Sequence, residues 1–409
     1  MTEAPQISTL PTGSTIRLRL FGRTDVGQIR EHNEDNFVVA DLTRQRRGIR
    51  EEDREQVVGP RGTVLGVCDG MGGAAAGEVA SQLAVDIIYE SLLTGGAPTD
   101  QDSLARRLVR AVEAAGAAIF NEARADRTRR GMGTTATIAA LLNSRLFVAQ
   151  VGDSRAYILR NGRLVQVSRD QSLANQLIEA GQLTEEEAET FEHNNIILQA
   201  LGTAETVQVD LTYVDLCQGD VLMVCSDGLS GMLRADEMRE VLCMLPDPQA
   251  ACKELIDRAN LAGGHDNVTV IVAHFDGEGL RPPSDADELK YKKYALPGEP
   301  VVEPPSPGVL AVEPSELQAK AVASTSPGEP RLRVGQTLIA LASPFADTRA
   351  AGSLPPGTGA SGPSTVPPAA TLQEDPVDIP TTGLHPKVVG MLMLGAILMV
   401  AVAGFMFFR

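Results

Sequence analysis

Basic residues are the scarcer charge in this 409-residue chain: 36 Lys and Arg stand against 53 Asp and Glu, a formal net charge of -17. A nucleic-acid footprint needs a clustered basic face, so that class of partner is excluded, and the acidic surplus suits a soluble, self-repelling domain. Cysteine is sparse as well. Cys68, Cys217, Cys225, Cys243 and Cys252 form no C-x-x-C pair and sit inside apolar runs, where cysteine behaves as a small hydrophobe. The pattern reads as reduced thiols in a cytoplasm, with no His/Cys cluster at the spacing of a structural zinc site. The opening "MTEAPQISTLPTGST" has no basic region followed by an apolar core, which argues against a signal peptide.

Long uncharged apolar runs are missing too, with one exception near the C-terminal end. Val388 to Phe408, "VVGMLMLGAILMVAVAGFMFF", carries no charge and is bracketed by Lys387 and Arg409. At about 21 residues it matches the roughly 30 Å hydrocarbon core of a bilayer, and it lacks the polar periodicity of a core helix. Residues 387–409 are therefore expected to form a transmembrane tail anchor in the cell membrane, with the body of the chain in the cytoplasm. Residues 278–386 are Pro-, Ala-, Ser-, Gly- and Glu-rich with little periodicity and read as a disordered linker. As a coil of about 110 residues it would span roughly 60 Å. The short apolar patch inside it, "TLIALASPF" from Thr337 to Phe345, is expected to be incidental.

After a flexible N-terminus over 1–15, residues 16–277 alternate credible strands and helices. "RLRLFG", "NFVVA", "TVLGVC", "TTATIAALL", "RLFVAQVG", "AYILR", "RLVQV", "DVLMVCS" and "NVTVIVAHF" have the β-branched content and length of strands. Asn161-Gly162 marks a type I′ hairpin. Apolar spacing predicts helices over Glu78 to Leu93 and Leu104 to Arg124. Shorter ones are expected in "SLANQLIEAG", "TEEEAETF" behind a Thr184 capping box, Asp236 to Met244 and Pro248 to Ala262. Hairpin-joined strands imply antiparallel sheets, and the helices need sheet faces to cover, so a two-sheet core flanked by helices is the economical α+β arrangement.

The stretch "GVCDGMGGAAAGE", Gly66 to Glu78, carries the functional question. Gly70, Gly72 and Ala75 fit a G-x-G-x-x-A dinucleotide fingerprint, with Glu90 about twenty residues on. Asp69 at the loop mouth would repel a pyrophosphate, however, and a second helix follows where a βαβ unit needs a strand. No Lys-Ser or Lys-Thr follows the glycines, which excludes a P-loop. A hard divalent cation makes better use of the same residues, taking the Asp69 carboxylate and the Gly70 carbonyl. The pattern recurs: "CSDG" puts Asp227 at a strand end and "GGHDNVTVIV" puts Asp266 at a strand start. Asp276-Gly277, at the end of the last strand, is read as a plain turn.

Taken together, "DVGQIREHNED", "GVCDGMGGAAAGE", "GMGTTAT", "VGDSRAYILRNG", "CSDGLS" and "GGHDNVTVIV" resemble, in order and spacing over about 260 residues, the metal-dependent type 2C (PPM-type) serine/threonine protein phosphatases in their bacterial form. The resemblance implies a four-layer αββα sandwich and two Mn2+ or Mg2+ ions at one end of it. Asp69 would bridge both ions, Gly70 would bind one through its carbonyl, Asp227 and Asp266 would bind the other, and Glu34 would act through a water. Arg30 would hold the substrate phosphate by a charge-assisted fork, and Asp153 would serve a third, looser ion shared with Asp227. Asp35 would orient its loop, and the segment from Gln171 to His193 would be the mobile flap.

Metals roughly 3.5 to 4 Å apart would activate a shared water for in-line attack on phosphorus, with no phosphoenzyme. Three positions depart from the pattern of many relatives: Met71 replaces a histidine, Gly231 an aspartate and Gln171 a histidine. The expectation is hydrolysis of phosphoserine and phosphothreonine on proteins, opposing a serine/threonine kinase. A catalytically silent phosphatase fold serving as a scaffold is the alternative. On the residues alone, Arg30 and Glu34 also suit a surface ion pair at helical spacing.

Overall fold

Alternation every second residue sets the first strand: Arg17 and Arg19 are exposed while Leu18 and Leu20 are buried along Arg17–Asp25 (β1). The computed structural model describes residues 15–73, 76–284, 287, 289–297 and 338–339. After β1 come Asp35–Asp41 (β2), Arg46–Arg47 (β3), Glu55–Val57 (β4) and Thr63–Met71 (β5), then the helices Ala76–Leu93 (α1) and Gln101–Ala125 (α2). Strands Gly133–Thr134 (β6), Ala136–Leu142 (β7), Arg145–Val151 (β8), Arg155–Arg160 (β9) and Arg163–Gln166 (β10) follow. The next stretch holds Leu173–Glu179 (α3), Glu185–Glu189 (α4) and Ile196–Ile197 (β11). Beyond it lie Asp210–Asp215 (β12), Val221–Cys225 (β13), Asp227–Ser230 (α5), Ala235–Met244 (α6), Pro248–Leu261 (α7), Val268–Asp276 (β14) and Leu338–Ile339 (β15).

Two antiparallel sheets result, ordered β10-β9-β13-β14-β1-β4 and β12-β8-β7-β5-β2-β3, with β6 beside β5. Leu18, Leu20, Val39, Leu65, Val67, Ile158, Val224 and Phe275 form one buried cluster from both sheets. Helices α1 and α2 bury Val85, Ile88, Leu108 and Ile119 against the second sheet, and α6 and α7 bury Val241, Leu255 and Ile256 against the first. Strands covered on both faces carry almost unbroken apolar runs, as β7 does with all seven residues buried. The expected helix-sheet-sheet-helix layering is what these three clusters describe.

The expected hairpin between β9 and β10 closes with Asn161 at φ 49° and Gly162 at φ 72°, the signs a type I′ turn requires. All five cysteines are free. Strand β12 was not expected from the sequence, although "DLTYVD" buries Leu211 and Val214; a charge at each end hides its short apolar signal.

The packed domain runs past residue 277, where the sequence places its boundary. Leu280 and Leu296 are buried, and Tyr294 meets Phe147 and Tyr213 edge-on with ring centroids 5.0 and 5.4 Å apart. The Tyr291 hydroxyl donates to the Asp210 carboxylate at 2.8 Å, and Lys293 bridges to Thr212 of β12. This strap covers an otherwise open sheet edge. Its few apolar residues are diluted among lysines and acids, so composition alone assigns it to the linker.

Residues 1–14, nearly all of 298–386, and the apolar run Val388–Phe408 lie outside the described residues. Among the described residues, no helix is long and apolar enough to cross a membrane.

Candidate active site

Two neighbouring strands of one sheet bring the first acidic pair together. Asp69 on β5 stands opposite Asp35 on β2 in register. The Asp69 backbone is pinned on both sides: its N–H donates to Thr135 Oγ1 at 2.9 Å, and its carbonyl accepts from the Thr135 N–H and the Thr134 hydroxyl, each at 2.8 Å. The next residue, Gly70, donates its N–H to the Glu34 carbonyl at 3.1 Å. A Cβ at Gly70 would lie 2.2 Å from the Gly77 carbonyl and 2.5 Å from that of Glu34. Glycine is required there by close backbone approach, and this fixes the β5 end against the loop that carries Glu34.

The other sheet supplies the remaining acids. Asp227 opens α5 directly after β13, and Asp266 lies two residues before β14. Asn267 ties these to the Arg30–Glu34 loop: its amide donates to the Val26 and His32 carbonyls, each at 2.9 Å, and its Oδ1 accepts from the Glu34 N–H at 2.8 Å. The Asn267 N–H also donates to Asp266 Oδ1 at 2.8 Å. Residues 26–34 form turns and bends rather than a helix, so helical spacing does not relate Arg30 to Glu34. The Arg30 guanidinium donates instead to Asp266 Oδ2 at 2.6 Å.

Asp153 occupies the turn between β8 and β9. Gln171, at the start of the expected flap, holds that turn: its N–H donates to the Gly152 carbonyl at 2.9 Å and its side-chain oxygen accepts from the Gly152 N–H at 3.0 Å. Arg155 donates to Asp170 at 2.7 Å beside it. Met71 is buried with Ile197 and Ala200, and a thioether there has no proton to give.

The charges are poorly compensated. Burial, then repulsion from Asp35, Asp227, Asp266 and Asp153, holds the Asp69 carboxyl well above the ordinary carboxylate range. Burial, against hydrogen bonds from Thr269 and Ser226, pushes Asp35 up to about 8. Asp266 is raised to about 6 by burial and by Asp227, with Arg30 opposing. Asp153 is raised by burial and by Asp227 and Asp170, and Glu34 by burial against the pull of Arg30. Asp227 Oδ1 and Asp35 Oδ1 are buried without a hydrogen-bond partner. Among the described residues, no three His, Cys, Asp or Glu side chains are drawn tightly enough together to hold an ion as they stand. Asp266 instead accepts from Arg30.

Orphaned carboxylate oxygens and an all-oxygen donor set fit a hard divalent cation, which completes its shell with carbonyls and water. Sequence reasoning located the acids but missed what positions them. Thr135 and Asn267 lie within the quoted motifs "GMGTTAT" and "GGHDNVTVIV", while Ser226, whose hydroxyl donates to Asp35 Oδ2 at 2.8 Å, directly precedes Asp227.

A family model for protein phosphatase 2C matches residues 42–258. The chain belongs to the protein phosphatase 2C family. Its relatives in that family include a serine/threonine phosphatase of Listeria monocytogenes, 35% identical over 254 residues that cover 62% of this chain and 94% of the relative. The serine/threonine protein phosphatase PstP of Mycobacterium tuberculosis is 35% identical over 263 residues, 63% of this chain and 45% of PstP. A crystal structure of the PstP catalytic domain with two manganese ions superposes with a TM-score of 0.53 at 34% identity, over 64% of this chain and 99% of that one. The residues matched by the phosphatase 2C model hold Asp69, Asp153 and Asp227, and Glu34, Asp35 and Asp266 lie just outside them on either side.

Proposed function

We propose that this chain hydrolyses phosphoserine and phosphothreonine on proteins with the help of Mn2+ or Mg2+. The observation that carries the reading is the group of carboxylates from both sheets that repel one another, with Asp266 bonded to Arg30 and an Asp227 oxygen buried without a hydrogen-bond partner. Asp69, the Gly70 carbonyl, Asp227 and Asp266 would hold two ions, Glu34 would reach one through water, and Asp153 would serve a third. When bound, the ions supply Lewis-acid charge and an activated water.

The chain's own residues do the rest. Asn267 and the Gly70 N–H set the position of Glu34. Arg30 would offer its planar fork to two phosphate oxygens. Ser226, next to Asp227, donates to the buried Asp35, which stands opposite Asp69.

Hydrolysis of a phosphothreonine peptide, measured with Mn2+, with EDTA and with Asp69→Asn in Mn2+, tests the reading. Activity is expected in the first case alone, and equal rates in all three would leave only the scaffold alternative, against which the retained Asp69, Gly70, Asp227 and Asp266 set already speaks.

A serine/threonine kinase acting on the same proteins is the proposed counterpart. The uncharged run Val388–Phe408, bracketed by Lys387 and Arg409, supports a membrane-spanning anchor with the phosphatase domain on the cytoplasmic side. Deleting it should release the protein from membranes and leave its rate on soluble peptides unchanged; a fraction that stays on membranes would count against the anchor.

A further inference from the structure

Two residues of the apolar patch in the linker, Leu338 and Ile339, pair with the folded domain. Leu338–Ile339 forms a strand parallel to β11, with Leu338 opposite Ile196 and Ile339 opposite Ile197. The other side of β11 is already occupied: Ile197 bridges antiparallel to Ser172, and the Leu198 N–H donates to the Gln171 carbonyl at 2.8 Å. Ser172 is the cap of α3, its hydroxyl accepting from the Asn175 N–H. Gln171 and Ser172 are where the chain leaves for α3 and α4, and Ile196 to Leu198 is where it returns. The linker strand therefore adds to the base of the flap itself.

Two further contacts relate that base to the carboxylate site. Ile197 is buried against Met71, which follows Asp69 and Gly70 on β5. Gln171 grips Gly152, next to Asp153.

We infer that the β11 edge is an interaction surface for an extended apolar segment, and that its occupant is this chain's own Leu338–Ile339, which docks by strand addition and restrains the flap. Backbone pairing on an open edge is a general way to take up an extended peptide. A two-residue ladder is weak alone. By length, however, a connection of about 40 residues from Pro297 holds its far end at millimolar effective concentration, which lets a weak pairing persist without a second molecule. Proline, having no N–H, cannot keep such a ladder. Docking itself is independent of the phosphatase reading; its effect on turnover rests on that reading.

The test compares the full-length protein with Leu338→Pro/Ile339→Pro and with the β-compatible Leu338→Val/Ile339→Val. Hydrogen exchange of the peptide covering residues 194–199 should quicken about tenfold in the proline variant and stay slow in the valine variant. A synthetic peptide of residues 336–345 added to the proline variant should restore protection, and protection in the unaltered chain should not depend on protein concentration. Equal exchange in all three proteins would overturn the docking, and protection that rises with concentration would assign the strand to a second copy. Given docking, the proline variant should turn over a phosphopeptide roughly two- to fivefold faster, as expected when a lid is released. Exchange that changes with no change in rate would overturn the restraint on the flap while leaving the strand addition in place.

Discussion

Arg30 Nη2 donates to Asp266 Oδ2 at 2.6 Å, so the proposed phosphate clamp rests on a proposed metal ligand. A cation held by Asp266 would share that carboxylate with the guanidinium, so metal loading and the placing of the arginine fork would meet at one side chain.

Arg30→Ala should accordingly raise KM for a phosphopeptide by about 10- to 100-fold, the loss expected for a charge-assisted pair. Arg30→Lys should recover only part, since a point charge lacks the planar fork. Manganese affinity, measured against a competing chelator, should not weaken in either variant. An unchanged KM would show that the clamp is misassigned.

Asp69→Asn should abolish metal-dependent activity while stabilising the protein in EDTA. The backbone bonds to Thr134 and Thr135 survive the change, and one of several mutually repelling buried charges is removed. A gain of about 1 kcal/mol would raise Tm by a few degrees in a domain of this size. In Mn2+ the order should reverse, because only the unaltered chain gains from ligand linkage. A variant less stable than the unaltered protein in EDTA would mean that Asp69 is not under charge strain.

The same strain sets a pH dependence. With the Asp35 carboxyl at about 8 when folded and near 3.8 when unfolded, the folded state holds the extra proton between those values. Its contribution is fully present below about 4 and is lost as pH rises through about 8. In EDTA the urea midpoint should therefore fall between about pH 6.5 and 8.5, and Asp35→Asn should flatten that fall. His274 does not interfere, because burial lowers its pKa from 6.5 and its effect is confined to more acidic solution. A midpoint that stays level over this range would sink the argument.

Residues that repeat a local pattern were readable from sequence, and residues that act across the fold were not. The β-branched runs and the Asn161-Gly162 turn announce both sheets, and the Asp-Gly pairs at strand ends announce the acids. Nothing local says that Asn267, just before β14, reaches Val26, His32 and Glu34, since an asparagine's partners are chosen by packing of segments more than two hundred positions apart. Nor does local pattern place Arg30 on Asp266. The strap at Tyr291, Tyr294 and Leu296 and the strand at Leu338 share one cause: each is a short apolar element in polar surroundings that gains meaning only from the edge it covers.

That strap gives a last prediction. A chain ending at Gly277 loses Leu280 and Leu296 from buried positions and Tyr294 from a half-buried one, together with the Tyr291 bond to Asp210 and the cover over β12. Tyr294→Ala alone should cost about 2 kcal/mol, less than truncating a fully buried aromatic, and the cut at 277 should cost more than that single change. A chain ending at Pro297 should keep the full urea midpoint. The described strap residues bond to Asp210, Thr212, Cys217 and Asp102, away from the carboxylate group, so kcat/KM per folded molecule should be the same for both lengths at a temperature where both are folded. Equal midpoints for chains ending at 277 and 297 would show that the strap merely lies on the surface; a drop in midpoint with unchanged kcat/KM would place it with the fold and outside the chemistry.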